Sequence, residues 1–134
     1  MKTRLPGSTA EEIRSLVPAV REVWAEIEAN VLDAGLVDQR LKELCFRYLA
    51  SEIPDVERYS GRERLALEWA DAIAHDSAKA DDGLWRKLHK GFTEPELVDL
   101  GCAIGFELGR QHWRRSVGLP GRSGPEARSE PPVA

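Results

Sequence analysis

Among the side chains of this sequence that can transfer a proton near neutral pH, His112 has the most unusual surroundings. It stands next to Trp113 and continues a stripe of glycines spaced four residues apart. The stripe consists of Gly101, Gly105 and Gly109. Because glycines on one helix face leave room for a neighbouring helix or a small ligand, His112 is a candidate general base at the edge of a groove. The alternative is a buried histidine that bonds a backbone carbonyl or a neighbouring subunit.

Two cysteines, Cys45 and Cys102, are the candidate nucleophiles. Cys45 falls on an apolar stripe between Leu44 and Tyr48, and Cys102 falls within the apolar part of the last helix. A reactive thiol needs exposure and a nearby cation, and neither position shows both. We therefore expect two reduced, buried cysteines that behave as small apolar residues.

The remaining histidines and acidic residues have simpler interpretations. His75 and His89 stand near helix C-termini, where a positive charge interacts favourably with the helix dipole. Glu107 is expected on a solvated face together with Arg110 and Arg114. No H-x-x-x-H or C-x-x-C spacing groups these residues, so we expect neither a metal site nor a cofactor.

A single long helix, predicted between Phe92 and Gly118, must position most of these side chains. Thr93 followed by Glu96 is a capping box, which satisfies two of the unpaired N–H groups at the helix start. Gly118 is suited to the left-handed conformation that ends a helix. The middle of this helix is apolar on almost every side, which indicates extensive burial.

The rest of the chain predicts further helices and no strand. Capping boxes also begin at Ser8 or Thr9 and at Ser60, Asp38 is a candidate helix cap, and apolar residues recur with helical spacing throughout. The predicted fold is an all-α bundle of five to six helices with a long C-terminal helix. Its expected limits are a flexible arm at 1–7, a helical domain at 8–119 and a disordered tail at 120–134.

Composition and charge exclude several classes of partner. A formal net charge of −4 and a pI near 5.4 argue against binding to nucleic acid or to an anionic membrane. The sequence has no signal peptide pattern and no apolar run long enough to span a bilayer, so we expect a cytoplasmic protein. Because a short chain has few local partners to cover an apolar final helix, we also expect a homo-oligomer.

Three phrases of the sequence resemble the carboxymuconolactone decarboxylase and alkylhydroperoxidase-D-like family. These phrases are RLKELCFRYLA at Arg40–Ala50, RERLALEWADAIA at Arg62–Ala74, and LWRKLHKGFTEPELVDLGCAIGF at Leu84–Phe106. The resemblance covers about Leu16 to Leu119. It implies an all-helical and usually oligomeric protein of the alkylhydroperoxidase-D-like type.

One feature of that family is absent from this sequence. The peroxidase branch carries a proton-relaying Glu and, twelve residues later, a C-x-x-C-x-x-x-H motif, and Glu43 matches that Glu. Asp55, Arg58 and Arg62 occupy the motif positions, so the chain lacks the dithiol that reduces peroxide. The other interpretation of Glu43 is a surface ion pair with an arginine at helical spacing.

Two classes of function follow from the resemblance. The first is acid–base chemistry on a small carboxylate or lactone substrate, with His112 and Glu43 as acid and base. The second is a non-catalytic or ligand-binding member of the family, or one that retains peroxidase activity through a single thiol. The catalytic hypothesis requires His112 and Glu43 to face one partly apolar cavity, with Trp113 or Tyr48 near its wall.

Overall fold

The computed structural model describes residues 3–122, and within this range the chain forms helices joined by turns and loops, with no strand. Six α-helices follow one another in the described part of the chain: α1 (Ala10–Arg14), α2 (Pro18–Ile27), α3 (Gln39–Leu49), α4 (Gly61–His75), α5 (Asp82–Gly91) and α6 (Glu94–Ser116). The predicted all-α fold with a long C-terminal helix is therefore confirmed. Within the described range, no helix is both long and apolar enough to cross a bilayer, and the cytoplasmic location stays a prediction.

Local sequence signals account for most helix starts. The Thr93 hydroxyl accepts a hydrogen bond from the Glu96 N–H at 3.3 Å, and the Glu96 carboxylate accepts one from the Thr93 N–H at 2.8 Å. Thr9 and Glu12 form the same reciprocal pair at the start of α1. Ser60 precedes α4 without a capping hydrogen bond from its side chain, so the third predicted capping box is wrong.

Helices α3 to α6 form the core of the molecule. Helix α6 packs against α3 and α4, and α4 packs against α5. The fully buried apolar side chains of this core include Cys45, Leu67, Leu88, Leu100 and Ile104. We call this part, residues 39–116, the core bundle. Its long helix α6 carries His112 and one side of the apolar groove described below.

Helices α1 and α2 with their connection, residues 10–27, form an N-terminal flank beside α6. Ala10 and Ile13 of α1 are buried, but α2 has no buried residue along its ten residues. The helix continues into one π-helical turn, Glu28–Leu32, and there Leu32 packs against Phe46 and Ala103. The flank is thus anchored at both ends while the apolar face of α2 remains largely uncovered.

A buried ion pair attaches the loop before α3 to α6. The Lys42 ammonium is completely buried and donates to the carbonyls of Val31 at 2.8 Å and Ala34 at 2.5 Å, and to the Asp99 carboxylate at 3.0 Å. Asp99 also accepts hydrogen bonds from two backbone N–H groups of the loop. Every donor of the ammonium therefore has an acceptor, which is the condition for burying a charge.

The two ends of the described chain contact the helical domain. The Arg4 N–H donates to the Val117 carbonyl at 2.7 Å, and Arg122 is only 8% exposed. The expected arm at 1–7 and tail at 120–134 stay predictions, and residues 123–134 of the tail lie outside the described residues.

Candidate functional site

His112, the first predicted catalytic residue, lies on the exposed surface of α6. Its Nδ1 atom is 3.2 Å from a guanidinium nitrogen of Arg115, one turn further along the helix. The alternative of a buried histidine is therefore wrong. Gly105 and Gly109 of the glycine stripe are already exposed on α6, and His112, further along the same helix, is exposed as well.

Glu43, the second predicted catalytic residue, is half-buried on α3 and forms an ion pair with Arg122. The same guanidinium contacts Glu52 at 3.4 Å, and the Arg122 side chain is only 4% exposed. An arginine one turn away on α3 was the partner expected in the surface interpretation, but the observed partner is 79 residues distant. The first described residues of the predicted tail thus attach to the end of α3.

The structure gives the two predicted catalytic residues different partners. No hydrogen bond or ion pair of residues 3–122 joins His112 to Glu43. Their expected aromatic neighbours also line different cavities, because Trp113 borders an apolar groove and Tyr48 borders a polar pocket, where its hydroxyl donates to Asp71 at 2.6 Å. The shared catalytic cavity stays a prediction.

The two cysteines differ in their environments. Cys45 is completely buried, as predicted, and burial raises the pKa of its thiol to about 12. It therefore stays protonated and unreactive near neutral pH. Cys102 is exposed on α6, beside Trp69 and Trp85, so the prediction that it is buried is wrong. Helices α3 and α4 pack against α6 but leave the position of Cys102 uncovered.

Glu107 is buried, and the prediction of a solvated ion-pair face is wrong here. Its side chain is 1% exposed and accepts hydrogen bonds from Arg110 at 2.8 Å and from Gln111 at 2.7 Å. Gln111 also donates to the Phe46 carbonyl of α3 at 3.0 Å, and Arg110 donates to Glu28 at 2.9 Å. These hydrogen bonds compensate the burial of the charge and tie α6 to both α3 and the flank.

The glycine stripe of α6 separates into two parts with different surroundings. A Cβ atom at Gly101 would lie 2.6 Å from the Trp69 ring, so this glycine permits a close approach between α4 and α6. A Cβ atom at Gly105 or Gly109 would meet nothing within 4 Å. The predicted close neighbour is thus Trp69 at Gly101, whereas the space beside Gly105 and Gly109 is open.

That open space belongs to an apolar groove of about 490 Å³ between the N-terminal flank and α6, which we call the flank groove. Its lining consists of Leu5, Ile13, Arg14, Leu16, Val17, Val20, Trp24, Gly105, Phe106, Gly109, Arg110 and Trp113. Trp24 and Phe106 meet edge to face, with ring centroids 6.4 Å apart and an interplanar angle of 87°. This geometry is favourable for aromatic pairs and fixes the width of the groove at that point.

Arg14 is a charged residue of the flank groove that the sequence analysis did not identify. Its guanidinium carbon lies 4.7 Å from the centroid of Trp24 and 4.8 Å from that of Trp113, so the cation sits between two indoles. The pKa of Arg14 is lowered to about 10, chiefly by burial, with a raising effect from Glu28 and smaller lowering effects from Arg110 and Arg114. The arginine remains charged near neutral pH. The sequence signal that could have identified it is an arginine next to the apolar residues Ile13, Leu16 and Val17.

These observations define one candidate binding site, the flank groove, and two separate positions for the predicted acid and base. The fold is established by the geometry alone. Compared with protein-family models, curated proteins and solved structures, the chain has no match among them.

Proposed function

We propose that this protein binds a small, mainly apolar molecule in the flank groove. The observation that carries the proposal is the uncovered apolar wall of that groove. Leu16, Val17 and Val20 remain 50–56% exposed beside a concave space of about 490 Å³. Ligand sites in proteins are concave, mostly apolar and of roughly 300–1,000 Å³, and contiguous exposed apolar surface marks interaction sites.

The backbone of α6 supports the same proposal. A glycine within a helix costs about 1 kcal/mol relative to alanine, and α6 carries Gly105 and Gly109 where no neighbouring atom requires them. Their missing side chains keep the floor of the groove open. The edge-to-face pair of Trp24 and Phe106 gives the groove a rigid wall before any ligand arrives, which lowers the entropic cost of binding.

The test fills the groove without disturbing the core. Gly105→Leu places a side chain in the open space of the groove, and Ser116→Leu places the same side chain on the same helix outside the groove lining. N-phenyl-1-naphthylamine, a neutral apolar fluorophore, serves as the probe. Its binding is measured by its own fluorescence and by quenching of the emission of Trp24 and Trp113.

We expect the wild-type protein and Ser116→Leu to bind the probe equally well. Gly105→Leu should weaken binding by at least about tenfold, which corresponds to about 1.4 kcal/mol. The far-ultraviolet circular dichroism of the three proteins should be the same, because Gly105 has free space around it. Equal binding by all three proteins, or no binding by the wild type, contradicts the proposal.

Acid–base chemistry on a small carboxylate or lactone, which the family resemblance implies, remains a separate proposal. Its acid and base would be His112 and Glu43, and its test is consumption of a carboxymuconolactone by the wild type and by His112→Asn and Glu43→Gln. The single-thiol peroxidase is the third proposal. Cys102 is the residue left for it, because Cys45 stays protonated. Peroxide reduction that survives Cys102→Ser contradicts that proposal.

We further propose that the chain forms a homo-oligomer. Large apolar side chains outside the lining of the flank groove are exposed, with Val98 at 68%, Leu36 at 65% and Val23 at 56%. Burying such side chains at a subunit interface is favourable. Light scattering should give a mass well above the chain mass of 15.0 kDa for the wild type, and Val98→Glu or Val23→Glu should lower it. A wild type that stays at the chain mass at every concentration contradicts the proposal.

A further inference from the structure

The flank groove contains one cation whose hydrogen-bonding capacity is unused. A guanidinium carries five N–H donors in its plane, and none of the hydrogen bonds or ion pairs described for residues 3–122 involves the side chain of Arg14. Two indoles contact it, and ring contacts of this kind attract the charge without accepting its in-plane protons. A half-buried guanidinium in this state has lost part of its hydration and gained no acceptor.

The neighbouring arginine shows what Arg14 lacks. Arg110 lines the same groove and donates to Glu107 at 2.8 Å and to Glu28 at 2.9 Å. Glu28, whose negative charge also favours the charged form of Arg14, is thus hydrogen-bonded to Arg110, and no hydrogen bond or ion pair of the described residues joins a carboxylate to Arg14. The position therefore calls for an anion from outside the described chain.

A second polar group of the groove has no partner either. The indole N–H of Trp24 is buried and has no hydrogen bond acceptor among the described residues. Buried donors in proteins are nearly always hydrogen-bonded, so an unpartnered one needs an explanation. The ring of Trp24 contacts the Arg14 guanidinium, so this unpartnered donor belongs to the same corner of the groove as the arginine.

We propose that the ligand of the flank groove is an amphipathic monocarboxylate, whose carboxylate pairs with Arg14 and whose apolar chain lies against Val17, Val20 and Phe106. This inference rests on the proposed function and adds the chemical class of the ligand. Arginine and carboxylate match in geometry and form two parallel hydrogen bonds. A single unpaired guanidinium suits a head group with one negative charge, and the rest of the lining suits an alkyl or aryl body.

The experiment compares decanoate with decanol, two probes of equal chain length that differ in charge. Calorimetry is carried out below the concentration at which either probe aggregates. Arg14→Met removes the charge and retains an apolar side chain of similar length. Arg21→Met removes an exposed arginine of α2 that does not line the groove, and serves as the matched control.

We expect wild type to bind decanoate at least about tenfold more tightly than decanol, since a hydrogen bond to a charged group contributes roughly 1.5–3 kcal/mol. Arg14→Met should reduce the affinity for decanoate to that for decanol, and Arg21→Met should leave the difference intact. The comparison of decanoate with decanol uses the wild type alone. The test therefore remains decisive even if the Arg14→Met protein does not fold.

The possible failures distinguish the two proposals. Equal affinity of wild type for decanol and decanoate overturns the assignment of Arg14 to a carboxylate, while the apolar groove remains a binding site. If neither probe binds and N-phenyl-1-naphthylamine does not bind, the proposed function fails as well. If the protein is oligomeric and dissociates only in Val20→Glu, a groove variant, a second copy covers the groove and the monocarboxylate proposal is overturned.

Discussion

The core bundle and the N-terminal flank differ in the hydrogen bonding of a cation that folding buries fully or in part. Lys42 is completely buried in the core bundle and has an acceptor for each of its three donors. Arg14 is half-buried in the flank, where its guanidinium contacts two aromatic rings, and among the described residues no hydrogen bond or ion pair is seen for this side chain. Folding requires that buried polar groups be hydrogen-bonded, and the core bundle meets this requirement. The flank does not, because the guanidinium of Arg14 has no hydrogen bond acceptor among the described residues.

The apolar residues show the same contrast. Helix α4 buries Ala66, Leu67, Trp69, Ala70 and Ala72, whereas α2 buries none of its residues. An amphipathic helix normally turns its apolar face toward a core. In α2 that face borders the flank groove instead, so part of the apolar surface that folding would otherwise bury is available for binding.

Among the substitutions that test this difference between the core bundle and the flank, Lys42→Met should have the largest effect on the free energy of unfolding. Removing one partner of a buried ion pair leaves the other charge without compensation, so the free energy of unfolding should fall by about 3–5 kcal/mol. Lys79→Met is the control, because Lys79 is 60% exposed and lies 3.3 Å from Asp71. An exposed pair of this kind contributes about 0–1 kcal/mol. Urea denaturation measures both, and equal losses would show that burial of Lys42 has no special role.

The glycines of α6 provide the next test. Gly101→Ala brings a Cβ atom to 2.6 Å from the buried Trp69 ring, so the free energy of unfolding should fall by about 1–3 kcal/mol. Gly105→Ala meets open space and should raise stability by up to about 1 kcal/mol. Thermal unfolding of the two variants gives the comparison. Changes of the same sign would contradict the division of the stripe into a packed part and an open part.

Arg14→Met should have a smaller effect than either core substitution. The variant loses two cation–π contacts of roughly 0.5–1 kcal/mol each, but it also removes the cost of a partly desolvated charge. We expect the free energy of unfolding to change by less than about 1 kcal/mol in either direction. A loss as large as that of Lys42→Met in urea denaturation would mean that Arg14 is a structural residue rather than a ligand-binding one.

The smallest effect concerns the pH dependence of a pair on the surface of the core bundle. The Tyr48 hydroxyl and, to a lesser extent, Lys79 hold the pKa of Asp71 below its ordinary value of 3.8. A carboxyl group with a lowered pKa in the folded state contributes stability above its ordinary value, and this contribution disappears as the pH falls through the lower value. Tyr48→Phe should therefore be less stable than wild type at about pH 6, by less than about 1 kcal/mol, and the difference should shrink toward about pH 2.5. A difference that stays constant over this range in urea denaturation would contradict the assignment.

Helix positions were largely predictable because their signals are local. The reciprocal hydrogen bonds of Thr93 and Glu96 involve neighbouring residues, and the left-handed conformation at Gly118 depends only on its own backbone. The failure at Ser60 shows the limit of such motifs: a residue pattern permits a capping hydrogen bond, but the path of the preceding chain decides whether it forms.

The candidate site was far less predictable. His112 was chosen because of the glycine stripe and Glu43 because of the family resemblance, whereas the groove depends on which face of α6 the flank leaves open. Helical periodicity places Gly101 and Gly105 on one face of α6. It does not show that Trp69 covers Gly101 and leaves Gly105 open. The unused donors of Arg14 are visible only when every carboxylate near it has been located.

The sequence by itself determined the helical class, the positions of most helix ends and the absence of the family's dithiol motif, because all of these depend on residues a few positions apart. Only the tertiary structure decided which charges are buried. Lys42 meets Asp99 across 57 residues, and Glu43 meets Arg122 across 79. Such pairs form when helix packing brings distant segments together and removes water from between them, and the same packing decided that Arg14 lies beside an open groove without an acceptor.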